Sequence, residues 1–189
     1  MRSPVELSKA YRLLNHGPTV LVSSAHAGRR NVMAAAWSMP LDFDPPKVAV
    51  VIDKSTYTRE LIEASGSFAL NVPTRALLDA TNAVGNVSGR DEDKFSRIGL
   101  NGFAAERIAA PLIEGCVGWL ECRMLPEPEM ARKYDLFLGE VIAAWADERV
   151  FSRGRWHFDE QDDDLRSIHH VAGGAFFATG EAVKAQGYR

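Results

Sequence analysis

The feature that most constrains this chain is its succession of short β-branched and aliphatic runs, each closed by glycine, proline or polar turn residues. Thr19 to Ser24 (TVLVSS) leads through His26-Ala27-Gly28-Arg29-Arg30 into Asn31 to Ser38, which is a hairpin pattern. Pro40 and Pro45-Pro46 break the following stretch. Lys47 to Asp53, Ser67 to Val72, Gly115 to Met124, Leu136 to Ala146, Val150 to Phe158 and Ala175 to Gly180 read as further strands. Helical patterns are short: Val5 to Leu14, stopped by Asn15-His16-Gly17-Pro18, then Thr58 to Ala64, stopped near Gly66, and Thr74 to Val84. Many short strands at near-regular spacing predict a mainly β fold, a closed or nearly closed β-barrel with short helices. The strands do not alternate with long helices, so a doubly wound nucleotide fold is not expected. Neither G-x-G-x-x-G nor a phosphate loop ending in Gly-Lys-Ser/Thr occurs, so any nucleotide is bound another way.

The 189 residues show no internal repeat and no dividing linker, which predicts one domain over 1–189. A net charge of -3 gives no electrostatic reason to expect nucleic acid or an anionic membrane as partner. No apolar run approaches the ~20 residues that span a bilayer. The segment from Met1 to Glu6 lacks the apolar core of a signal peptide, so a cytoplasmic protein is expected. Cys116 and Cys122 stand six residues apart on one expected strand, roughly 20 Å, too far to bridge, and read as buried thiols. The acidic run Asp159 to Asp164 reads as a solvated connection without the pattern of a calcium loop.

Three segments carry chemistry. In Asn31-Val32-Met33-Ala34-Ala35-Ala36-Trp37-Ser38, consecutive alanines leave a strand open to a flat ligand or to a closely crossing neighbour. Met33 and Trp37 add polarisable surface. Asp53-Lys54-Ser55-Thr56-Tyr57-Thr58 opens a helix with three hydroxyls and a lysine. That pattern suits a phosphate, and equally a helix cap. In Gly85 to Phe95, Ser88, Arg90 and Lys94 are placed to help hold an anion, or the stretch is a plain solvated loop.

Taken in order, these segments resemble the flavin reductase-like FMN-binding family, its flavoredoxin branch in particular. The run begins at Pro18-Thr19-Val20-Leu21-Val22 and continues through Asn31 to Trp37, Asp44-Pro45-Pro46 and Ser55-Thr56-Tyr57-Thr58. Phe68 to Pro73, Asp93-Lys94-Phe95, Pro111-Leu112-Ile113, Leu138-Gly139-Glu140-Val141 and Gly173-Gly174-Ala175-Phe176 complete it. The resemblance implies a split barrel of Greek-key type, a homodimer, and FMN at the subunit boundary. It implies that Asn31, Val32, Met33, Ala34, Ala35, Ala36, Trp37 and Ser38 face the isoalloxazine. Ser55, Thr56 and Thr58 would take the phosphate and ribityl oxygens, with Ser88 and Lys94 close by.

The activity implied is that of a flavin reductase, an oxidoreductase passing electrons from NADH or NADPH through FMN to a small-molecule or protein acceptor. The alternative is a non-enzymatic flavin carrier or flavoredoxin-type electron-transfer protein. One departure favours the alternative: many family members carry Gly-Asp-His where this chain has Arg132-Lys133-Tyr134. His169 and His170 precede Gly173-Gly174 near the expected flavin edge, with structural roles and a place beside the flavin both open; no metal site is expected.

Overall fold

The structure, a computed structural model, describes residues 2–14 and 16–187, so Asn15 of the expected helix stop lies outside the described residues. In chain order the elements begin with β1 (Arg2–Pro4), β2 (Val20–His26), β3 (Arg29–Ala35), β4 (Ser38–Phe43), β5 (Pro46–Val51), α1 (Tyr57–Ser65) and β6 (Ser67–Val72). There follow α2 (Leu78–Val84), α3 (Lys94–Ile98), β7 (Gly102–Phe103), β8 (Leu112–Ile113), β9 (Gly118–Met124), α4 (Pro128–Tyr134) and β10 (Leu136–Asp147). Two small hairpins close the series, β11 (Phe151–Ser152) with β12 (Arg155–Trp156), and β13 (Ile168–Ala172) with β14 (Ala175–Ala178).

The main sheet is antiparallel in the order β3-β2-β6-β9-β10-β5-β4, with β1 also on β10. Its two end strands, β3 and β4, are joined in sequence by only Ala36-Trp37. A sheet whose opposite edges are tied by two residues has to curl until those edges approach, and that makes a barrel. No ladder joins β3 to β4, so the barrel is split there.

Burial follows from strand alternation on two faces. Val20 and Val22, Phe68, Leu70 and Val72, and Leu120 and Cys122 point into the barrel interior, which Leu13 and Leu14 help to fill. Leu21, Ala69 and Trp119, one residue out of phase, form a second core beneath α2, α3 and the 100–116 segment. In the interior, Gly139 leaves no space: a Cβ there would stand 2.6 Å from Phe68 Cζ and 3.1 Å from Cys122 Cβ. Gly139→Ala is therefore expected to cost about 1–3 kcal/mol through overpacking, read as a lower denaturant midpoint at unchanged slope.

Several expectations need correction. Pro40 does not end the sheet. It lies in β4, opposite Val48 and beside a bulge, on an edge strand where the missing N–H costs no ladder bond. Val5 to Leu14 forms a 3-10 helix over Leu7–Leu13 rather than an α-helix, its buried Ala10 and Leu13 packed into the barrel. Thr74 to Val84 becomes α-helical only from Leu78, after a 3-10 turn over Arg75–Leu77. Thr74 itself bridges Ser167 and donates to the Gly115 carbonyl at 3.1 Å. Val150 to Phe158 folds back on itself around Arg153 and Gly154, both at positive φ. Cys116 precedes β9 instead of lying on it, and burial pushes both cysteine thiols up, leaving them unreactive. Among the described residues no helix is long and apolar enough to cross a membrane.

Candidate functional site

As an edge strand, β3 has one row of backbone groups that no strand pairs. Along that row run two clefts of about 310 and 500 Å³, which share Ala34, Gly85 and Asn86. The smaller lies between the start of α1 and the 85–91 loop. The larger lies between α2 and the β13–β14 hairpin.

In the smaller cleft, Asn31 is buried and its Nδ2 donates to Thr58 Oγ1 at 2.9 Å, while its Oδ1 has no partner. Gly89 lies directly against it: a Cβ at that position would stand 2.6 Å from Asn31 Cγ. Thr56 is the cap of α1, accepting from the Arg59 N–H at 3.4 Å and donating to the Asp53 carbonyl at 2.8 Å. Ser55 turns its N–H and hydroxyl onto Asp53 Oδ1, at 2.7 and 2.6 Å. The Ser55 hydroxyl and N–H hold the exposed Asp53 carboxyl below its ordinary pKa.

Lys94, at the start of α3, is buried. Its ammonium donates to the carbonyls of Val32 at 2.9 Å and Val84 at 2.7 Å, tying β3 to α2. No carboxylate pairs with it among the described residues, and desolvation lowers its pKa to about 8. Ser88 accepts the Arg90 N–H at 3.3 Å, and Arg90 reaches Ser55 O and Glu60.

The larger cleft is floored by Ala34 and Ala36, whose methyl groups leave its width open. Thr81, Asn82 and Asn86 form one wall, and Thr81 Oγ1 is buried without a partner. His170, Gly173, Gly174 and Phe176 form the opposite wall. The His170 N–H is fixed by Thr19 Oγ1 at 2.8 Å, and positive φ at Gly173 and Gly174 turns the hairpin.

A family model described as a flavin reductase like domain matches residues 12–164. The chain belongs to the flavin reductase-like family. Its sequence is 52% identical to the uncharacterized protein YddH of Escherichia coli (strain K12), over 96% of this chain and 97% of that one. The solved structure of an FMN-binding domain of a flavin reductases-like enzyme from Shewanella baltica OS155 is 52% identical. It superposes with a TM-score of 0.96 over 98% of both chains. Flavoredoxin of Desulfovibrio vulgaris (Miyazaki F) is 26% identical, with a TM-score of 0.78, covering 90% of this chain and 91% of its own. These likenesses agree with the split barrel described above.

Within this flavin reductase-like chain, the structure brings together most but not all of the residues singled out from sequence. Asn31, Met33, Ala34, Ser55, Thr56, Thr58, Ser88 and Lys94 line the smaller cleft, and Ala36 lines the larger. The side chains of Val32 and Ala35 belong to the two cores and line neither cleft. Trp37 is 74% exposed and, with Ser38, borders a separate apolar hollow beside Met39, Leu41 and Met130. Arg132, Lys133 and Tyr134 form the last turn of α4 and line neither cleft.

Of the two histidines only His170 lines the cleft. His169 Nδ1 lies 2.9 Å from the Gly17 carbonyl oxygen, and its ring packs edge-on to the half-buried His16, whose pKa desolvation lowers to about 4. The wall of α2 was not anticipated. Its signal is a run of small and polar residues, Thr81-Asn82 in the last turn of α2 and Gly85-Asn86 just past its end.

Proposed function

We propose that this protein binds FMN non-covalently along the free edge of β3 and serves as a flavin-dependent oxidoreductase. One observation carries the reading: a cationic cleft at a helix N-terminus runs into a wider cleft floored by alanines, with a strand's unpaired backbone along both. The residues present fit the group. The first N–H groups of α1, with Ser55, Thr58, Ser88, Arg90 and Lys94, suit a phosphate. The unpartnered Asn31 Oδ1 suits a ribityl hydroxyl, and the floor of Ala34 and Ala36 suits a flat ring.

When bound, flavin supplies one- and two-electron chemistry, and the chain's task is to hold and orient it. NADH or NADPH is the proposed donor, with a small-molecule or protein acceptor. The departure at Arg132-Lys133-Tyr134, with Tyr134 more than half exposed, favours the second reading of a flavoredoxin-type electron-transfer protein fed by a protein donor.

The proposal includes a single domain over 1–189, in the cytoplasm, acting as a homodimer. Support for the dimer comes from β4 and the residue before it: Trp37, then Met39, Leu41 and Phe43 of the strand, are exposed, while Ser38, Pro40 and Asp42 are partly covered. Four large exposed apolar side chains along one edge of the sheet are the kind of surface a second copy covers.

Purified protein is expected to be yellow and to release FMN on denaturation, identified by chromatography. Anaerobic bleaching by NADH or NADPH supports the reductase reading. Bleaching only by a reduced protein donor supports the carrier. Protein that stays colourless after reconstitution with excess FMN rules out both.

A further inference from the structure

The two banks of the smaller cleft are the start of α1, at Ser55 to Thr58, and the 84–90 segment. Among the described residues, the side-chain hydrogen bonds that cross directly from the loop to the α1 bank all come from Arg90. Its Nη1 donates to the Ser55 carbonyl at 2.8 Å, and its Nη2 pairs with Glu60 in the first turn of α1. The crossing is braced from below. Arg29 lies over the buried Tyr57 ring at 4.9 Å and donates to the Arg90 carbonyl at 3.3 Å, and Arg90 itself lies 5.9 Å from that ring. Gly89 lets the loop press onto Asn31, because any side chain there would collide with the Asn31 amide.

We propose that Arg90 is a latch over the phosphate monoester of the bound flavin, and that Glu60 is the partner it leaves to take hold of that phosphate. The inference rests on the FMN reading above and adds to it how the flavin is retained. A guanidinium offers paired N–H donors whose geometry matches two phosphate oxygens as well as it matches a carboxylate. Carboxylate and phosphate therefore compete for one cation at the mouth of the cleft. Both Arg90 and Glu60 are exposed enough to exchange partners without disturbing the core. The retention acts through the phosphate: a flavin that carries one has to break the guanidinium contact before it leaves, and a flavin without one does not. Flavin held in this way stays with the protein between turnovers instead of being exchanged as a diffusible substrate.

The test uses full-length apoprotein loaded with FMN or riboflavin, with release followed by the recovery of flavin fluorescence after dilution. Arg90→Gln is expected to release FMN on the order of tenfold faster or more, since a hydrogen-bonded contact to a charged phosphate is lost. Glu60→Gln is expected to release FMN several-fold more slowly, because the competing carboxylate is gone. Riboflavin, which lacks the phosphate, should leave all three proteins at the same rate. Equal acceleration of both flavins in Arg90→Gln would make Arg90 a mere loop brace and overturn the latch. Unchanged FMN release in Arg90→Gln, or faster release in Glu60→Gln, would overturn it as well. Wild-type protein that takes up neither flavin would instead remove the FMN reading, and the latch with it.

Discussion

A chain carrying Ser55→Ala and Thr58→Val together is expected to bind FMN more weakly than wild type, by on the order of a hundredfold or more, from two lost hydrogen bonds to a charged acceptor worth roughly 1.5–3 kcal/mol each. Its loss for riboflavin should be far smaller. Thr56 stays untouched because its hydroxyl caps α1, so the helix start is preserved. Valine keeps the shape of the buried Thr58 but leaves Asn31 Nδ2 without its acceptor. That loss weakens the pocket for both flavins alike, whereas the loss of phosphate donors touches FMN alone. The informative quantity is therefore the ratio of the two dissociation constants, measured by fluorescence quenching in apoprotein. An unchanged ratio would place the phosphate away from this turn, nearer Ser88 and Lys94.

Lys94→Met should separate stability from binding. At neutral pH the ammonium is buried with two carbonyl partners and no counter-charge, and its pKa is down to about 8 through desolvation. Between that value and the ordinary lysine range the unfolded chain binds more protons than the folded one, so stability rises with pH across this window. Relative to Lys94→Met, the wild type is expected to gain roughly 3 kcal/mol between pH 8 and 10.5. Flavin affinity moves the other way. The phosphate prefers the charged ammonium, so FMN binding to wild type should weaken as pH climbs past about 8. Lys94→Met should bind FMN at least tenfold more weakly at neutral pH, with a flat profile above it. Denaturation and flavin titration across pH check the two slopes. Parallel profiles in wild type and variant would mean that Lys94 carries no titrating charge in the cleft.

Local patterns in the sequence were enough to find β2, β3, α1 and the small residues Ala34 and Ala36 of the cleft floor, because each depends on neighbours a few positions away. The start of α1 was legible as either cap or phosphate site; the structure gives the cap to Thr56 and leaves Thr58 accepting from Asn31. What stayed hidden depends on closure over long separations. His170 meets Thr19 across the barrel mouth, and no periodicity in either segment announces it. β4 was obscured by Pro40, although Trp37, Met39, Leu41 and Phe43 alternate with polar or small residues at strand period. Its apolar side faces outward. α4 has a proline at its first turn and ordinary helix formers after it, yet seven residues between two strands are too few to give a clear helical period.

β10 pairs with β1 at its C-terminal end, with β5 at its N-terminal end and with β9 along most of its length. During synthesis those three partners all leave the ribosome before it does. Until Leu136–Asp147 emerges, β5 and β9 each present an open row of backbone donors and acceptors, and β1 has nothing to join. Open strand edges of this kind invite pairing with other chains. Closure also joins residues far apart in sequence, which places folding in the slow, millisecond-to-second class of β-barrels. A nascent or truncated chain that stops short of Asp147 is thus a set of unfinished edges, and its fate depends on how soon a chaperone or the missing strand covers them.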